Sequence, residues 1–410
     1  MKYRLSFLYI TALLVVSCVT LYSQRREVRM GSVSMQGTHK AKYSLTKKIN
    51  DLSEVINEAG KLNLDILLLP EAYFKGRTYE DDAQDLRHSI VLDSIKIWAE
   101  KHNVNIVFQI YEIVPEIKEF YNTAVVVDRK GEYVGKYRKV NLPPEENFLT
   151  RGDSYTVFNL DFGKIGVLIC WDTWLTNPAK VLVDKGAEII LVPTWSNCTQ
   201  SMKVINAENG IPISFSVLRH NPKSDVEDMQ SSVYDNQGKA VHTYHYVGNN
   251  KIAVGVVELG NYTNIALNKK MNSSIETSEN SFSKLVDGIY STERDTDSKV
   301  QTSVEINSLP QWIEIDLGND YYLNRVTIAQ FRGEDYHYTI KGKSSSETVY
   351  VILSSDLSKL ESVVEHGIAG SEILVANFET KIARQVRIYI DSKKRDDAQV
   401  NEIKIFGYIK

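Results

Sequence analysis

Apolar and polar residues alternate with two different periods in the first two thirds of the chain. Residues 28–36 alternate with period two, which predicts a strand, and apolar residues recur at helical spacing from Leu45 to Ala59 until Gly60. Residues 66–69 are fully apolar and predict a buried strand. The same patterns predict further strands at residues 104–113, 123–128, 155–160, 165–169, 188–193, 211–218, 231–234 and 251–257, and further helices at residues 90–99 and 178–185. Strands and helices in pairs indicate a layered α/β fold.

The pattern changes after residue 260. From residue 264 onward helical periodicity fades, and short segments of alternating apolar and polar residues dominate. Such segments are typical of an all-β sandwich. Strands are predicted at residues 312–317, 325–328, 336–340, 349–353, 385–390 and 402–406.

Three chemically distinctive side chains each follow an apolar strand of the α/β region. Glu71 follows residues 66–69, Lys139 follows a strand-like segment, and Cys170 ends an apolar run and is followed at once by Trp171. One sheet could bring these strand ends together, and a buried strand that ends in a turn can hold a nucleophile at a cleft. Each residue also has an ordinary interpretation: a turn residue, a solvated charge and a buried core cysteine, respectively.

The chemical properties of these three groups complement one another. A thiol has a pKa of about 8.5 and needs a base to become a thiolate near neutral pH. A glutamate can act as that base when burial raises its proton affinity. An ammonium group, with the backbone NH after the cysteine, can hold the negative charge that develops when a thiolate adds to a carbonyl. The trio therefore favours nucleophilic attack on a carbonyl carbon.

Composition narrows the possible partners. The 410-residue chain is too long for one ordinary core, and 43% of its residues are hydrophobic. A net charge of -4 without a basic cluster argues against nucleic acid as a partner, and the eight histidines lack metal-ligand spacing. With three cysteines there is no disulfide framework. A bond between Cys170 and Cys198 would disable a catalytic thiol, and we expect none.

The N-terminus predicts an export signal. Lys2 and Arg4 precede an apolar run, as in a secretory signal. The run is too short for a confident membrane span. We favour cleavage after Ser23, which makes residues 1–23 a signal peptide. The alternative is lipidation of Cys18, whose preceding residues resemble a bacterial lipobox and which would anchor the protein to a membrane. Either route predicts a protein outside the cytoplasm, periplasmic or secreted.

Residues 27–259 resemble the nitrilase, or carbon-nitrogen hydrolase, superfamily. Three motifs in order carry the resemblance: LLLPEAYF around Glu71, YRKVNLPPEENFLTRGD around Lys139, and GVLICWDTWLTNPAKVLVDKGAEIILVPTW around Cys170. The resemblance implies a four-layer α-β-β-α sandwich. It also implies a homodimer, because family members often pair through the sandwich.

The resemblance implies a catalytic triad of Glu71, Lys139 and Cys170. A second family glutamate matches Glu145 best by its distance to the residues that follow, with Glu146 as the alternative. The implied reaction is hydrolysis of an amide through a cysteine thioester, without a metal or other cofactor for catalysis.

The same resemblance predicts a substrate pocket. The backbone NH of Trp171 would complete the oxyanion hole, and Tyr73 would line the pocket. The aromatic rings of Trp174 and Trp195 could wall an apolar or ring-bearing substrate, and core packing is the alternative for Trp195. The Cys-Trp-Asp-x-Trp pattern favours cleavage of amides or N-carbamoyl compounds over nitriles. One departure is Asn141, where the family usually has histidine, and we expect it to alter tuning without loss of activity. Two other functions stay open: a catalytically silent binding protein and an acyl transferase that uses the same thioester.

Residues 264–410 resemble the discoidin, or coagulation factor 5/8 type C, family. The segments NIALNKK, LVDGIY, QWIEIDLG, RQVRIYI and NEIKIFG carry the resemblance. It implies an all-β jelly roll that binds ligands such as glycans through loops, with a structural calcium ion near Asp287. A purely structural or protein-contact role is the alternative. Candidate aromatic residues for glycan contact are Tyr321, Tyr322, Phe331, Tyr336 and His337.

Overall fold

The structure of this chain is a computed structural model. It describes residues 25–36, 43–174, 177–196, 198–219, 230–260, 262–274, 283–288, 304–307, 310–331, 336–343, 351–354, 361–364, 371–392 and 397–410. The export signal, with Cys18 and Ser23, lies outside these residues. Within the described part of the chain, no helix combines the length and the apolar character needed to cross a membrane.

Twelve strands of the described residues form the first sheet, which has two halves joined through its first strand. The first half contains β1 (Arg26–Gln36), β2 (Ile66–Leu68), β3 (Asn105–Val114), β4 (Glu119–Val127), β5 (Tyr133–Arg138), β11 (His242–Val247) and β12 (Asn250–Leu259). The second half contains β6 (Val157–Leu160), β7 (Gly163–Val167), β8 (Ile189–Thr194), β9 (Ile213–Arg219) and β10 (Ser232–Tyr234). Strand β1 pairs in parallel with β2, and its last two residues, Met35 and Gln36, pair with β9.

Two helices cover the outer face of each half. These are α1 (Leu45–Ala59) and α2 (Ile90–His102) on the first half, and α3 (Asn177–Asp184) and α4 (Thr199–Asn209) on the second. The first two begin at serine N-caps: Ser44 Oγ accepts from the Lys47 amide over 3.2 Å, and Ser89 Oγ accepts from the Leu92 amide over 3.1 Å. The sequence pattern did not predict α4. Its buried side chains include Ser201, which interrupts the apolar stripe expected of such a helix.

A second core separates the two half sheets. Met30 and Val107 of the first half and Ile165 and Leu191 of the second belong to one buried cluster, and each is at most 1% exposed. Burial of such side chains is the main stabilising contribution in a layered protein. The layer order is therefore helix, sheet, sheet, helix, in agreement with the predicted α/β fold.

The C-terminal region forms a separate sheet with its own core. Among the described residues it contains β13 (Thr263–Asn264), β14 (Lys270–Ser273), β15 (Val304–Asn307), β16 (Gln311–Phe331), β17 (Tyr336–Lys343), β18 (Val351–Ser354), β19 (Glu361–Val364), β20 (Ser371–Ser392) and β21 (Asp397–Ile409). Ile313, Leu323, Val386 and Ile405 lie in its core with no exposed surface. The region is all-β, as predicted, and its jelly-roll topology stays a prediction.

One strand replaces two predicted strands in this sheet. The segments predicted at residues 312–317 and 325–328 both lie within β16. Its pairing with β20 shifts register between Asp316 and Tyr321, around Gly318, which has a φ of +87°. Glycine tolerates this left-handed conformation, so the strand passes through the irregularity without ending.

A buried arginine connects the two sheets. Arg325 of β16 is 1% exposed and donates from Nη1 to Asn206 Oδ1 of α4 over 2.8 Å and to the Asn236 carbonyl over 2.6 Å. Nearby, Tyr408 of β21 accepts a hydrogen bond from Asn236 Nδ2 over 3.0 Å. The C-terminal sheet therefore packs directly against α4, the helix between β8 and β9 in the second half of the α/β sandwich.

Candidate active site

Glu71 and Lys139 meet in the interior although 68 positions separate them in the chain. Glu71 follows β2, Lys139 directly follows β5, and each side chain is 1% exposed. Lys139 Nζ lies 3.1 Å from Glu71 Oε1 and 2.9 Å from Glu146 Oε2. Burial opposes the charge of Lys139, but Glu71, Cys170 and Glu146 outweigh burial and raise the pKa of Lys139. The lysine is therefore a fixed ammonium group.

Glu146, and not Glu145, is the second carboxylate of this cluster. Both residues belong to the short 3-10 helix Pro144–Glu146, but Glu146 is 4% exposed whereas Glu145 is exposed. Successive side chains of a 3-10 helix point about 120° apart, so neighbours cannot both face inward. Burial, and the charge of Glu71, raise the pKa of Glu146, and Lys139 acts against this rise. The structure thus corrects the choice of Glu145.

Two buried amides, which the sequence interpretation missed, orient the carboxylates. Asn122 of β4 donates from Nδ2 to Glu71 Oε1 over 2.8 Å and to Glu146 Oε1 over 3.3 Å. Gln109 of β3 donates to Asn122 Oδ1 over 2.8 Å and accepts from the Ala72 amide over 2.7 Å. Both amide residues interrupt apolar strands and are 1% exposed. A polar residue inside a buried strand needs a partner, and that was the available sequence signal.

Cys170 lies at a strained turn after β7. It begins the short 3-10 helix Cys170–Trp174 and has a φ of +43°, a left-handed conformation that costs about 1–3 kcal/mol in residues other than glycine. The side chain is partly buried, and its thiol, like that of Cys198, is free. A hydrogen bond with Cys198, burial and the charge of Glu71 together raise the pKa of Cys170, while Lys139 lowers it. The resting group is thus a thiol within electrostatic reach of Glu71 and Lys139.

Asp172 holds the cysteine turn against the lysine segment. Its Oδ2 accepts from the Ile169 amide over 2.9 Å and from the Tyr137 hydroxyl over 2.7 Å, and its Oδ1 accepts from the Asn141 amide over 2.9 Å. The residue is fully buried, and burial raises its pKa. These bonds fix the position of the cysteine turn relative to the segment that carries Lys139.

Asn141, the departure from the family pattern, faces away from the carboxylate pair. Its Nδ2 donates to the Tyr155 hydroxyl over 2.8 Å, and its backbone amide is the group that binds Asp172. The side chain therefore links the lysine segment to Tyr155.

The predicted pocket residues do not all lie together. Trp171 and Trp174 stack with ring centroids 4.8 Å apart, directly after the cysteine. Trp195 follows β8 and is partly buried. Tyr73 is 9% exposed and lies in the core beneath α1, where its hydroxyl donates to the Lys48 carbonyl over 3.0 Å. The structure thus corrects the placement of Tyr73 in the pocket wall.

The calcium prediction concerns Asp287, and the structure adds a second acidic residue, Glu402, whose pKa is affected by the charge of Asp287. Glu402 is 1% exposed, its Oε1 accepts from the Gly288 amide over 3.2 Å, and its Oε2 is buried without a hydrogen-bond partner among the described residues. Burial raises the pKa of Glu402 to about 8, with Lys404 opposing and Asp287 adding to the rise. Across the described ranges, no group of three His, Cys, Asp or Glu side chains could hold a metal ion.

The aromatic candidates for glycan contact divide into two groups. Tyr321 packs against the core of the C-terminal sheet, and Tyr322 is partly buried. The side chains of Phe331, Tyr336 and His337 lie outside the described part of the structure.

Comparisons with known proteins agree on the family of the α/β region. Citrullinase from Francisella tularensis is 31% identical over 156 residues, which cover 35% of this chain and 54% of that protein. A nitrilase from Pyrococcus abyssi is 28% identical over 231 residues, covering 50% of this chain and 87% of that protein. N-carbamoylputrescine amidase from Arabidopsis thaliana is 40% identical over 80 residues, covering 18% of this chain and 27% of that protein.

The matched regions cover the relatives unevenly. The chain spans only a little more than half of the length of the citrullinase and of a probable nitrilase from Schizosaccharomyces pombe, at 54% and 59%. Among solved structures, Saccharomyces cerevisiae Nit3, a member of branch 10 of the nitrilase superfamily, has a TM-score of 0.48 at 20% identity over 58% of this chain and 91% of that chain. The carbon-nitrogen hydrolase family model matches residues 30–249, more than half of the chain. With this match over the region that contains the buried Glu71–Lys139 pair and Cys170, the chain belongs to the carbon-nitrogen hydrolase family.

Proposed function

We propose that this protein hydrolyses a non-peptide amide or an N-carbamoyl compound through a thioester on Cys170. The observation that carries the proposal is the buried pairing of Lys139 Nζ with Glu71 Oε1 at 3.1 Å, within electrostatic reach of a free thiol at a strained turn. Such an arrangement supplies a nucleophile, a base and a fixed positive charge in one water-poor site.

The first half of the reaction forms the thioester. Glu71 takes the proton of the Cys170 thiol as sulfur attacks the carbonyl carbon, and the carbonyl oxygen becomes an oxyanion. Lys139 and the backbone NH of Trp171 stabilise this oxyanion. The C–N bond then breaks, Glu71 gives its proton to the departing ammonia or amine, and the acyl group stays on sulfur.

The second half releases the acid. Glu71 takes a proton from water, the hydroxide adds to the thioester carbon, and the C–S bond breaks with return of the proton to sulfur. Glu146 keeps Lys139 in place through its 2.9 Å contact. The raised pKa of Cys170 means that a base must act in every cycle, because the thiolate is scarce at neutral pH.

The preference for amide or carbamoyl substrates has two supports. The Cys-Trp-Asp-x-Trp pattern starts at Cys170, and two relatives are a citrullinase and an N-carbamoylputrescine amidase. The test is ammonia release from a panel of primary amides and N-carbamoyl compounds by wild type and Cys170→Ala. Release by wild type alone supports hydrolysis. Equal, background release by both proteins favours the silent binding protein, and mass detection of amine-transfer products favours the acyl transferase.

For the C-terminal sheet we propose a discoidin-like module that binds glycan at loops of one end. Its support is the set of motifs from NIALNKK to NEIKIFG. A glycan array with the whole protein tests it: binding of a defined glycan class, retained in Cys170→Ala, is expected, and failure to bind any class favours the structural role.

A calcium ion beside Glu402 and Asp287 is a further proposal. The buried, unpartnered Glu402 Oε2 supports it, because a hard cation prefers carboxylate oxygen. Calcium is expected to raise the melting temperature of wild type but not of Glu402→Gln. Equal melting curves with calcium and with chelator would contradict it.

We also propose export and homodimer formation. The basic and apolar N-terminal pattern supports export, and family resemblance supports the dimer. N-terminal sequencing and lipid analysis of the mature protein distinguish cleavage after Ser23 from lipidation of Cys18. Light scattering at several concentrations measures the oligomer, and a monomer at all of them would contradict the dimer.

A further inference from the structure

Lys75 occupies a fixed position four residues after Glu71. The Lys75 amide donates to the Ala72 carbonyl over 3.2 Å, and its own carbonyl accepts from Lys48 Nζ over 2.9 Å. Lys48 is 2% exposed and forms an ion pair with Asp82 at 2.5 Å. Hydrogen bonds therefore hold both the amide and the carbonyl of Lys75, which fixes the point from which its side chain extends.

The Lys75 ammonium lies between two aromatic rings. Nζ is 3.8 Å from the ring centroid of Tyr79 and 4.8 Å from that of Trp195, and all three residues are partly buried. The ring faces attract a cation but do not neutralise it. Burial lowers the pKa of Lys75, while the charges of Glu146 and Glu71 oppose this lowering without forming an ion pair with Lys75 among the described residues. The arrangement leaves a partly desolvated positive charge held in a defined position.

Each of the two rings is connected to the Cys170 thiol through one further residue. Tyr79 packs edge-on against Tyr111 with centroids 4.8 Å apart, and Tyr111 is within electrostatic reach of Cys170. Trp195 precedes Ser196, whose Oγ lies 4.0 Å from Cys170 Sγ. Lys75 therefore belongs to the surroundings of the reacting sulfur.

Tyr111 adds an unused hydrogen-bonding group on the same side. Its side chain is 2% exposed, and its hydroxyl has no hydrogen-bond partner among the described residues. A buried hydroxyl without a partner is costly unless a ligand or water satisfies it. Burial, and then the charges of Glu71 and Glu146, raise the pKa of Tyr111, so the group stays a donor at neutral pH.

We propose that Lys75 binds a carboxylate of the substrate, so that the substrate class is an amide or N-carbamoyl compound with a second, anionic end. This inference rests on the proposed hydrolysis and specifies its substrate. A carboxylate compensates the ammonium for its lost hydration, and the Tyr111 hydroxyl is free to donate to an oxygen of the same molecule. A substrate with an ammonium end meets like charge at Lys75 and is disfavoured.

The kinetic test uses substrates matched in length that differ in terminal charge. Succinamate, butanamide and 4-aminobutanamide form one set, and N-carbamoyl-β-alanine with its neutral and cationic counterparts forms a second. We expect wild type to favour the anionic member, and Lys75→Met to lower the ratio of anionic to neutral kcat/KM about tenfold or more, mainly through KM. Lys75→Arg should restore part of the ratio. Lys130→Met, in an exposed turn, is the control.

A binding measurement keeps this inference separate from the hydrolysis proposal. Calorimetry with Cys170→Ala is expected to detect succinamate or N-carbamoyl-β-alanine, and about tenfold weaker binding when Lys75→Met is added. Binding of a carboxylate that depends on Lys75, without ammonia release by wild type, would uphold the anion site and contradict hydrolysis. Ammonia release without a preference for the carboxylate, or carboxylate binding indifferent to Lys75, would overturn the anion site.

Discussion

Asn122 Nδ2 donates a 2.8 Å hydrogen bond to Glu71 Oε1, and the same nitrogen lies 3.3 Å from Glu146 Oε1. One neutral amide therefore bridges two buried carboxylates that repel each other. Lys139 supplies a single positive charge to the same pair. The geometry of Glu71, the proposed base, depends on this amide as well as on the lysine.

Asn122→Ala should reduce kcat/KM about ten- to hundredfold and move its acid limb to higher pH. The hydrogen bond from the Asn122 side chain lowers the pKa of Glu146. Loss of this hydrogen bond raises the pKa of Glu146 further, so that its carboxylate is protonated at a higher pH. The measurement is the pH profile of kcat/KM against that of Asn159→Ala, an exposed control. A reduced rate with an unmoved profile would contradict this positioning role.

Glu146→Gln and Glu145→Gln are matched variants that distinguish the roles of the two neighbouring carboxylates. Glu146→Gln should cost about a hundredfold in kcat/KM, about 2.7 kcal/mol, because Lys139 loses a charged partner in the interior. Glu145 is exposed, and its substitution should change the rate about twofold at most. Steady-state kinetics decides between them, and the reverse order of effects would contradict the structure.

Tyr137→Phe should lower the free energy of unfolding by about 1–2 kcal/mol. The substitution removes the 2.7 Å hydrogen bond to Asp172 and leaves that buried carboxylate with fewer donors. Tyr133→Phe, at an exposed position, should change stability by less than about 0.5 kcal/mol. Urea denaturation measures both, and equal losses in the two variants would show that the hydrogen bond does not stabilise the fold.

Arg325→Met should destabilise the whole protein by about 3 kcal/mol, because it leaves Asn206 Oδ1 and the Asn236 carbonyl without their donor. Arg384→Met removes a more exposed contact with Asp316, which water screens, and should change the melting temperature much less. Calorimetric melting compares them. If the α/β region melts independently of Arg325, the packing of the C-terminal sheet on α4 is not energetically important.

Periodicity alone was sufficient for most of the α/β region. The strand ends predicted that Glu71 and Lys139 would lie close together, and the structure has them 3.1 Å apart. Periodicity was insufficient where the local backbone decides which of two neighbouring side chains points inward. The 3-10 helix at Pro144–Glu146 turns Glu146 inward and Glu145 outward, a difference that composition does not encode. Tyr73 has the aromatic character of a pocket residue, but its hydroxyl finds the Lys48 carbonyl in the core.

Contacts between distant segments also could not be predicted from the sequence patterns. Gln109 and Asn122 are polar interruptions in apolar strands, and only the pairing of β3 with β4 brings the two together. Arg325 lies in a segment that predicts an ordinary strand, and its partner Asn206 lies in an unpredicted helix. Such contacts depend on tertiary packing, which local periodicity does not specify.

Intact-protein mass spectrometry, after rapid acid quench of the enzyme with an amide substrate, tests directly whether the reaction passes through a thioester on Cys170. We expect an adduct with the mass of the acyl group, located on Cys170 by peptide mapping, formed with one equivalent of ammonia or amine and absent from Cys170→Ala. Ammonia release by Cys170→Ala at the wild-type rate, or an acyl adduct on another residue, would contradict it.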